Sequence, residues 1–228
     1  ATRIVVLTEG IFRNRIIADP ELAGISAVLF DEVHERSIDS DFGLALALEA
    51  QGAFRPDLRL VAMSATLDTE GVAKWLGSAE TLAADGRAYP VQVEYTHLPR
   101  NSTRPIWDAA AEQVRRVLRE ESEGDVLVFM PTERDIRDTR DILDGRLGAG
   151  IEVLALFGRM ASAEQQRVFS PGAKRRVIIA TNVAETSITL PRIRYVIDTG
   201  LARMSRYNPR TRTKRLPVEA ISQSSANQ

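Results

Sequence analysis

Short, near-continuous apolar runs recur along the chain at residues 4–7, 27–30, 60–63, 126–130, 153–156, 177–180 and 195–197. Runs of this length without polar alternation suit strands buried on both faces. Between them lie segments whose apolar residues follow helical spacing, at 42–50, 72–76, 106–119, 136–147 and 163–169. Strands alternating with helices predict an α/β fold in which parallel sheets are covered on both sides. Asp39 or Ser40 is expected to cap the helix at Phe42, and Gly148 to Gly150 to close the one before Ile151. Gly86 and Pro90 break the rhythm, so the sequence divides into a first domain at 1–89 and a second at 90–228.

No apolar run approaches the roughly 20 residues a bilayer-spanning helix needs, and the first residues do not resemble a signal peptide. The chain has no cysteine, which excludes disulfides, thiolate zinc sites and cysteine nucleophiles. A reducing compartment fits that composition, and the cytoplasm is the expected location. The formal net charge of -1 gives no global attraction to nucleic acid, so any such affinity must be local. Arg203, Arg206, Arg210, Arg212, Lys214 and Arg215 form one local cluster, with Tyr207 among them and no acid between 203 and 215. Standing alone, such a stretch reads equally as a solvated basic hairpin.

The run at 27–30 ends directly in Asp31-Glu32-Val33-His34-Glu35-Arg36-Ser37. Ligands of α/β sheets sit outside the carboxyl ends of strands, and paired carboxylates there can serve a metal ion and a water molecule. The residues alone leave two other readings: acids in the first turn of a helix, or a zinc site of Asp31, His34 and Glu35. Two further strand ends carry hydroxyls, Ser64-Ala65-Thr66 after the third run and the 180–187 segment after the sixth. Arg59 to Thr66 and Arg176 to Thr181 echo each other, although the echo is too short to establish a repeat.

Taken together these segments resemble the DEAH-box RNA helicases of superfamily 2, bacterial type. Residues 31–34 resemble motif II, with Val33 where the family name has Ala; 64–66 resemble motif III and 180–187 motif V. The resemblance implies two RecA-like parallel-sheet domains, the first incomplete. It also implies ATP and Mg²⁺ as cofactors. Asp31 would hold the metal and Glu32 would deprotonate the attacking water. His34 would point away and reach Gln228, which matches the Gln that opens motif VI. Ser64 and Thr66 would couple hydrolysis to domain closure, and Ser187 would face the nucleotide. Thr8 and Gly10, in a segment resembling motif Ib, and Thr181 would contact the nucleic-acid backbone. Arg206, Arg210 and Arg212 would lie on a strand-splitting hairpin. Single-stranded or duplex RNA is the implied partner, DNA an alternative, and no protein partner can be named.

The sequence departs from the family in two places. It contains no Gly-x-x-x-x-Gly-Lys-Ser/Thr, and the arginines of motif VI do not follow Gln228. Arginine fingers alone account for roughly 10³ to 10⁵ in rate, so RNA-stimulated ATP turnover by the 228-residue chain is expected to be negligible. A fragment with unpaired strand edges is the expectation that follows. The rival function is a non-catalytic RNA-binding or regulatory module, in which Glu32 would have no use.

Overall fold

The computed structural model describes residues 3–64, 69–77, 79–83, 89–97, 102–170, 172–182 and 190–226. They form two compact units, Ala1–Gln92 and Val93–Gln228.

In the first unit, α1 (Glu9–Ala18) precedes β1 (Ala27–Phe30), a single 3-10 turn (Val33–Glu35), α2 (Ile38–Ala53), β2 (Arg59–Ala62) and α3 (Thr69–Trp75). Strands β1 and β2 pair in parallel, Ala27 opposite Arg59 and Phe30 opposite Ala62. Ile16, Leu22, Phe30, Val33, Leu44, Ala47, Ala50 and Leu58 form the core between this ribbon and helices α1 and α2. Burial on both faces was expected for β1 and β2, but Leu29 and Val61, opposite each other, are exposed. The run at 4–7 is no strand, because a strand exists only as one of a pair and no described segment pairs with it. Helix α1 was not anticipated: Gly10 in its first turn makes Thr8-Glu9-Gly10 read as a turn.

Helix α2 begins four residues before Phe42. Neither Asp39 nor Ser40 caps it; the cap is Ser37, whose Oγ accepts the Ser40 amide at 3.0 Å. A serine at this place satisfies one of the amides that a helix start leaves without an intrahelical partner.

The second unit contains α4 (Ile106–Glu120), β3 (Asp125–Phe129), α5 (Glu133–Leu143), β4 (Ile151–Leu156), α6 (Ser162–Phe169), β5 (Arg175–Ala180) and β6 (Ile193–Asp198). Short strands β7 (Leu201–Arg203), β8 (Arg206–Asn208), β9 (Thr213–Arg215) and β10 (Val218–Ala220) follow, then α7 (Gln223–Ala226). Strands β4, β5, β3 and β6 lie side by side in that order, all parallel. One face packs Val126, Val128, Val177 and Ile179 under α4 and α5; the other packs Leu127, Leu154, Leu156 and Ile178 with Val168 of α6. The two central strands thus have the two-sided burial their sequences predict. Edge strand β6 alternates instead. Helix α5 stops at Leu143, not at Gly148, because Asp144 turns to an extended conformation, with ψ of 133°, and Gly145 takes a φ of +69°.

Amino-end anchorage of the second sheet rests on a buried ion pair. Asp125 accepts the Arg176 amide at 2.9 Å and its Nε at 3.0 Å, and Arg176 Nη1 donates to the carbonyls of Val168 and Ser170. The same guanidinium therefore ties β5 to β3 and closes the carboxyl end of α6.

Candidate nucleotide and nucleic-acid sites

The acidic loop is a bulge in a parallel ladder. Met63 N–H donates to the Phe30 carbonyl at 2.8 Å, and a regular parallel ladder would next give the Met63 carbonyl the amide of Glu32. It accepts the amide of Val33 instead, at 3.2 Å. One extra residue is thereby lodged between two backbone bonds, as bulges near functional sites do to re-aim a side chain. The displaced Glu32 amide turns to Asp31 Oδ1 at 2.9 Å, and Glu32 takes left-handed φ and ψ of 53° and 35°. A non-glycine residue in that region carries strain that its surroundings must hold. Buried Val33 supplies the anchor, and the carboxylates of exposed Asp31 and partly exposed Glu32 stand at the carboxyl end of β1.

His34 does not turn away from these acids. Its Nε2 lies 3.3 Å from Glu32 Oε2 and its Nδ1 lies 3.2 Å from Ser64 Oγ, with the side chain only 7% exposed. The ring joins the end of β1 to the end of β2, where it meets the Ser64 hydroxyl. With both ring nitrogens engaged by protein groups, the zinc reading loses its histidine. Asp31 fits Mg²⁺: it is a hard oxygen donor at a strand end, one Oδ is spent on a backbone amide, and this ion needs only one or two carboxylates besides water.

Thr8 is the N-cap of α1 and Gly10 lies in its first turn, so both sit where a helix presents unpaired amides. In the second unit Thr181 follows central strand β5, and its amide donates to the Leu156 carbonyl at 3.2 Å. Thr66, Ser187 and Gln228 lie outside the described residues.

The basic stretch folds as a ladder of two pairings. Strand β7 pairs antiparallel with β10, and β8 with β9, joined by a turn in which Asn208 Oδ1 accepts the amides of Arg210 and Thr211. The three arginines expected to act together differ in their surroundings. Arg206 is held by Glu219, with Nε and Nη2 at 2.9 and 2.6 Å from one carboxylate oxygen. This hydrogen bond raises the pKa of Arg206 and lowers that of Glu219. Arg210 and Arg212 are exposed and form no ion pair among the described residues. The sequence signal missed here was Glu219, which lies just beyond the acid-free interval yet comes alongside once β10 pairs with β7.

Comparison with known proteins gives these placements a context. Residues 109–216 match the helicase conserved C-terminal domain. The ATP-dependent RNA helicase HrpA of Escherichia coli (strain K12) is 43% identical over the whole chain, which covers 18% of that protein. HrpB of the same organism is 38% identical over the whole chain, covering 28% of it. The crystal structure of the Escherichia coli DEAH/RHA helicase HrpB aligns with a TM-score of 0.87 over 99% of this chain and 29% of that one. The chain thus spans less than a third of the length of these relatives. Likeness sustained from the bulged acidic loop through the basic ladder, in sequence and fold alike, carries one assignment: the chain is a homologue of a segment of the ATP-dependent RNA helicases HrpA and HrpB, and includes a helicase conserved C-terminal domain.

Proposed function

We infer that this chain supplies part of the ATP-hydrolysing and RNA-gripping machinery of a cytoplasmic helicase that couples nucleotide turnover to strand separation. The observation that carries the reading is the bulge, which sets two carboxylates outside a parallel strand end and braces one of them with His34. Asp31 holds Mg²⁺, which neutralises charge on the phosphates. Glu32 orients the attacking water and accepts its proton, the role a general base fills in phosphoryl transfer. Ser64, through His34, is placed to sense the state of Glu32. Thr8, Gly10 and Thr181 contact phosphates of the nucleic acid, and Thr66, Ser187 and Gln228 complete the coupling and nucleotide contacts. RNA is favoured over DNA by the substrate named for the relatives.

The ladder is the part testable in the 228-residue chain itself. Phosphate contacts on single strands contribute about 0.7 each to the slope of log affinity against log salt. Replacing Arg210 and Arg212 with Ala is therefore expected to lower that slope by ~1.4 in filter binding of a single-stranded RNA. Arg206→Ala, whose charge is already met by Glu219, is expected to change it far less. Equal slopes for the double variant and the unmodified chain would remove the ladder from the RNA site. A non-catalytic module would keep this RNA binding and yet bind no nucleotide when placed in a complete helicase.

A further inference from the structure

Helix α1 holds the acidic loop at both of its ends. On the entering side, Phe12 meets Phe30 edge to face, with ring centroids 5.3 Å apart and an interplanar angle of 88°. Phe30 is the residue before Asp31. Gly43 of α2 makes room for that contact, since a Cβ there would stand 3.1 Å from Phe12 Cδ1. On the leaving side, Ser37 Oγ donates to Glu9 Oε1 at 2.9 Å while accepting the Ser40 amide as the cap of α2. Arg13 Nη1 pairs with Asp39 Oδ1 at 2.5 Å one turn further on. Between the two attachments the backbone passes through left-handed φ at Glu32 and again at Arg36, 53° and 54°. Such strain persists only where the flanks over-determine it.

We propose that Glu9 is a positioning residue which transmits nucleic-acid engagement at Thr8 and Gly10 to the hydrolytic acids through its hydrogen bond to Ser37. The proposal rests on the reading of Thr8 and Gly10 as phosphate contacts. A phosphate seated on the first turn of α1 lies beside the Glu9 carboxylate and repels it. Glu9 is bonded to Ser37, and Ser37 fixes both the start of α2 and the end of the acidic loop. Displacement of Glu9 therefore alters the constraint on a strained segment whose conformation aims Asp31 and Glu32. A two-site coupling of this kind has a typical size of roughly 5- to 150-fold.

Ser37 offers a clean test because its two bonds can be separated. Ser37→Asp retains a good cap but has no proton to donate and opposes Glu9 with a second carboxylate. Ser37→Asn caps through Oδ1 and can donate to Glu9 through Nδ2. Both are placed in a full-length helicase carrying this segment, alongside Glu9→Gln, which still accepts from Ser37. ATP turnover is then titrated with a single-stranded RNA. The expected result is a loss of about tenfold in maximal RNA stimulation for Ser37→Asp, and likewise for Glu9→Gln, which keeps the bond but has no charge for a phosphate to repel, with the half-saturating RNA concentration unchanged and stimulation retained in Ser37→Asn. Full stimulation in Ser37→Asp would overturn the proposal. So would equal loss in Ser37→Asp and Ser37→Asn, which reports damage to the cap. Absence of any RNA stimulation in the unmodified helicase would instead overturn the functional reading beneath it.

Discussion

Glu32→Gln in a full-length helicase carrying this segment is expected to lower kcat for ATP hydrolysis by about 10²- to 10⁴-fold, the range that a positioned general base contributes. The substitution keeps the length and shape of the side chain and asks nothing new of the left-handed backbone. Its amide oxygen can still face His34 Nε2, so the link through the ring to Ser64 survives. What disappears is the capacity to take a proton from water. Nucleotide affinity should remain within a few-fold, because Asp31 is unchanged. Single-turnover hydrolysis measured beside nucleotide binding separates these effects. A variant that hydrolyses at the original rate would dismiss Glu32 as the base, and one that fails to bind nucleotide would place it in the binding site instead.

Asp125→Ala is expected to destabilise the second unit by about 3–5 kcal/mol, the usual cost of leaving one member of a buried pair without the other. Asp125 is wholly buried and Arg176 is 1% exposed. The carboxylate accepts two bonds from Arg176, and Arg192 Nη2 approaches it at 3.7 Å. Removing it strands a guanidinium whose remaining bonds are to the carbonyls of Val168 and Ser170. Replacing both partners, Asp125→Leu with Arg176→Met, should cost far less, since no uncompensated charge remains. Trp107 packs against this core, so urea unfolding followed by its fluorescence in a Trp75→Phe background reports on the second unit. A loss below about 1 kcal/mol for Asp125→Ala, the scale of an exposed pair, would show that the pair is not the anchor its burial implies.

How much of this was legible in the sequence follows from what each feature depends on. Strands β3 and β5 could be read because two-sided burial imprints itself on every residue, and their runs carry no polar break. Residues 4–7 carry the same imprint and are not a strand in this structure, since apolar character states a preference whereas pairing needs a neighbour. Helix α1 was hidden by Gly10, although Phe12 and Ile16 stand four apart on its inner side. Asp31 and Glu32 were found as acids at a strand end, yet their projection depends on which amide Met63 accepts, and backbone bonding of that kind leaves no mark on residue identity. Charge in the basic stretch was visible, but its division was not. Glu219 of β10 pairs with Arg206 of β8, so the unpaired basic cluster is narrower than the count of arginines suggests. The cap at Ser37 was not foreseen, because Asp39 and Ser40 are good capping residues that lie nearer to Phe42, where the helical spacing begins.

The extra residue between Phe30 and Val33 gives the acidic segment spare length. A strand end bonded in regular register has none: moving its side chains means unzipping the sheet. Here the bonds on either side of the bulge are closed while Asp31 and Glu32 lie outside the ladder, so their aim is set locally and not by the register of β1 and β2. Deleting one residue from this segment would therefore do more than shorten it. It would restore the regular register, leaving a sheet as sound as before around carboxylates aimed in another direction.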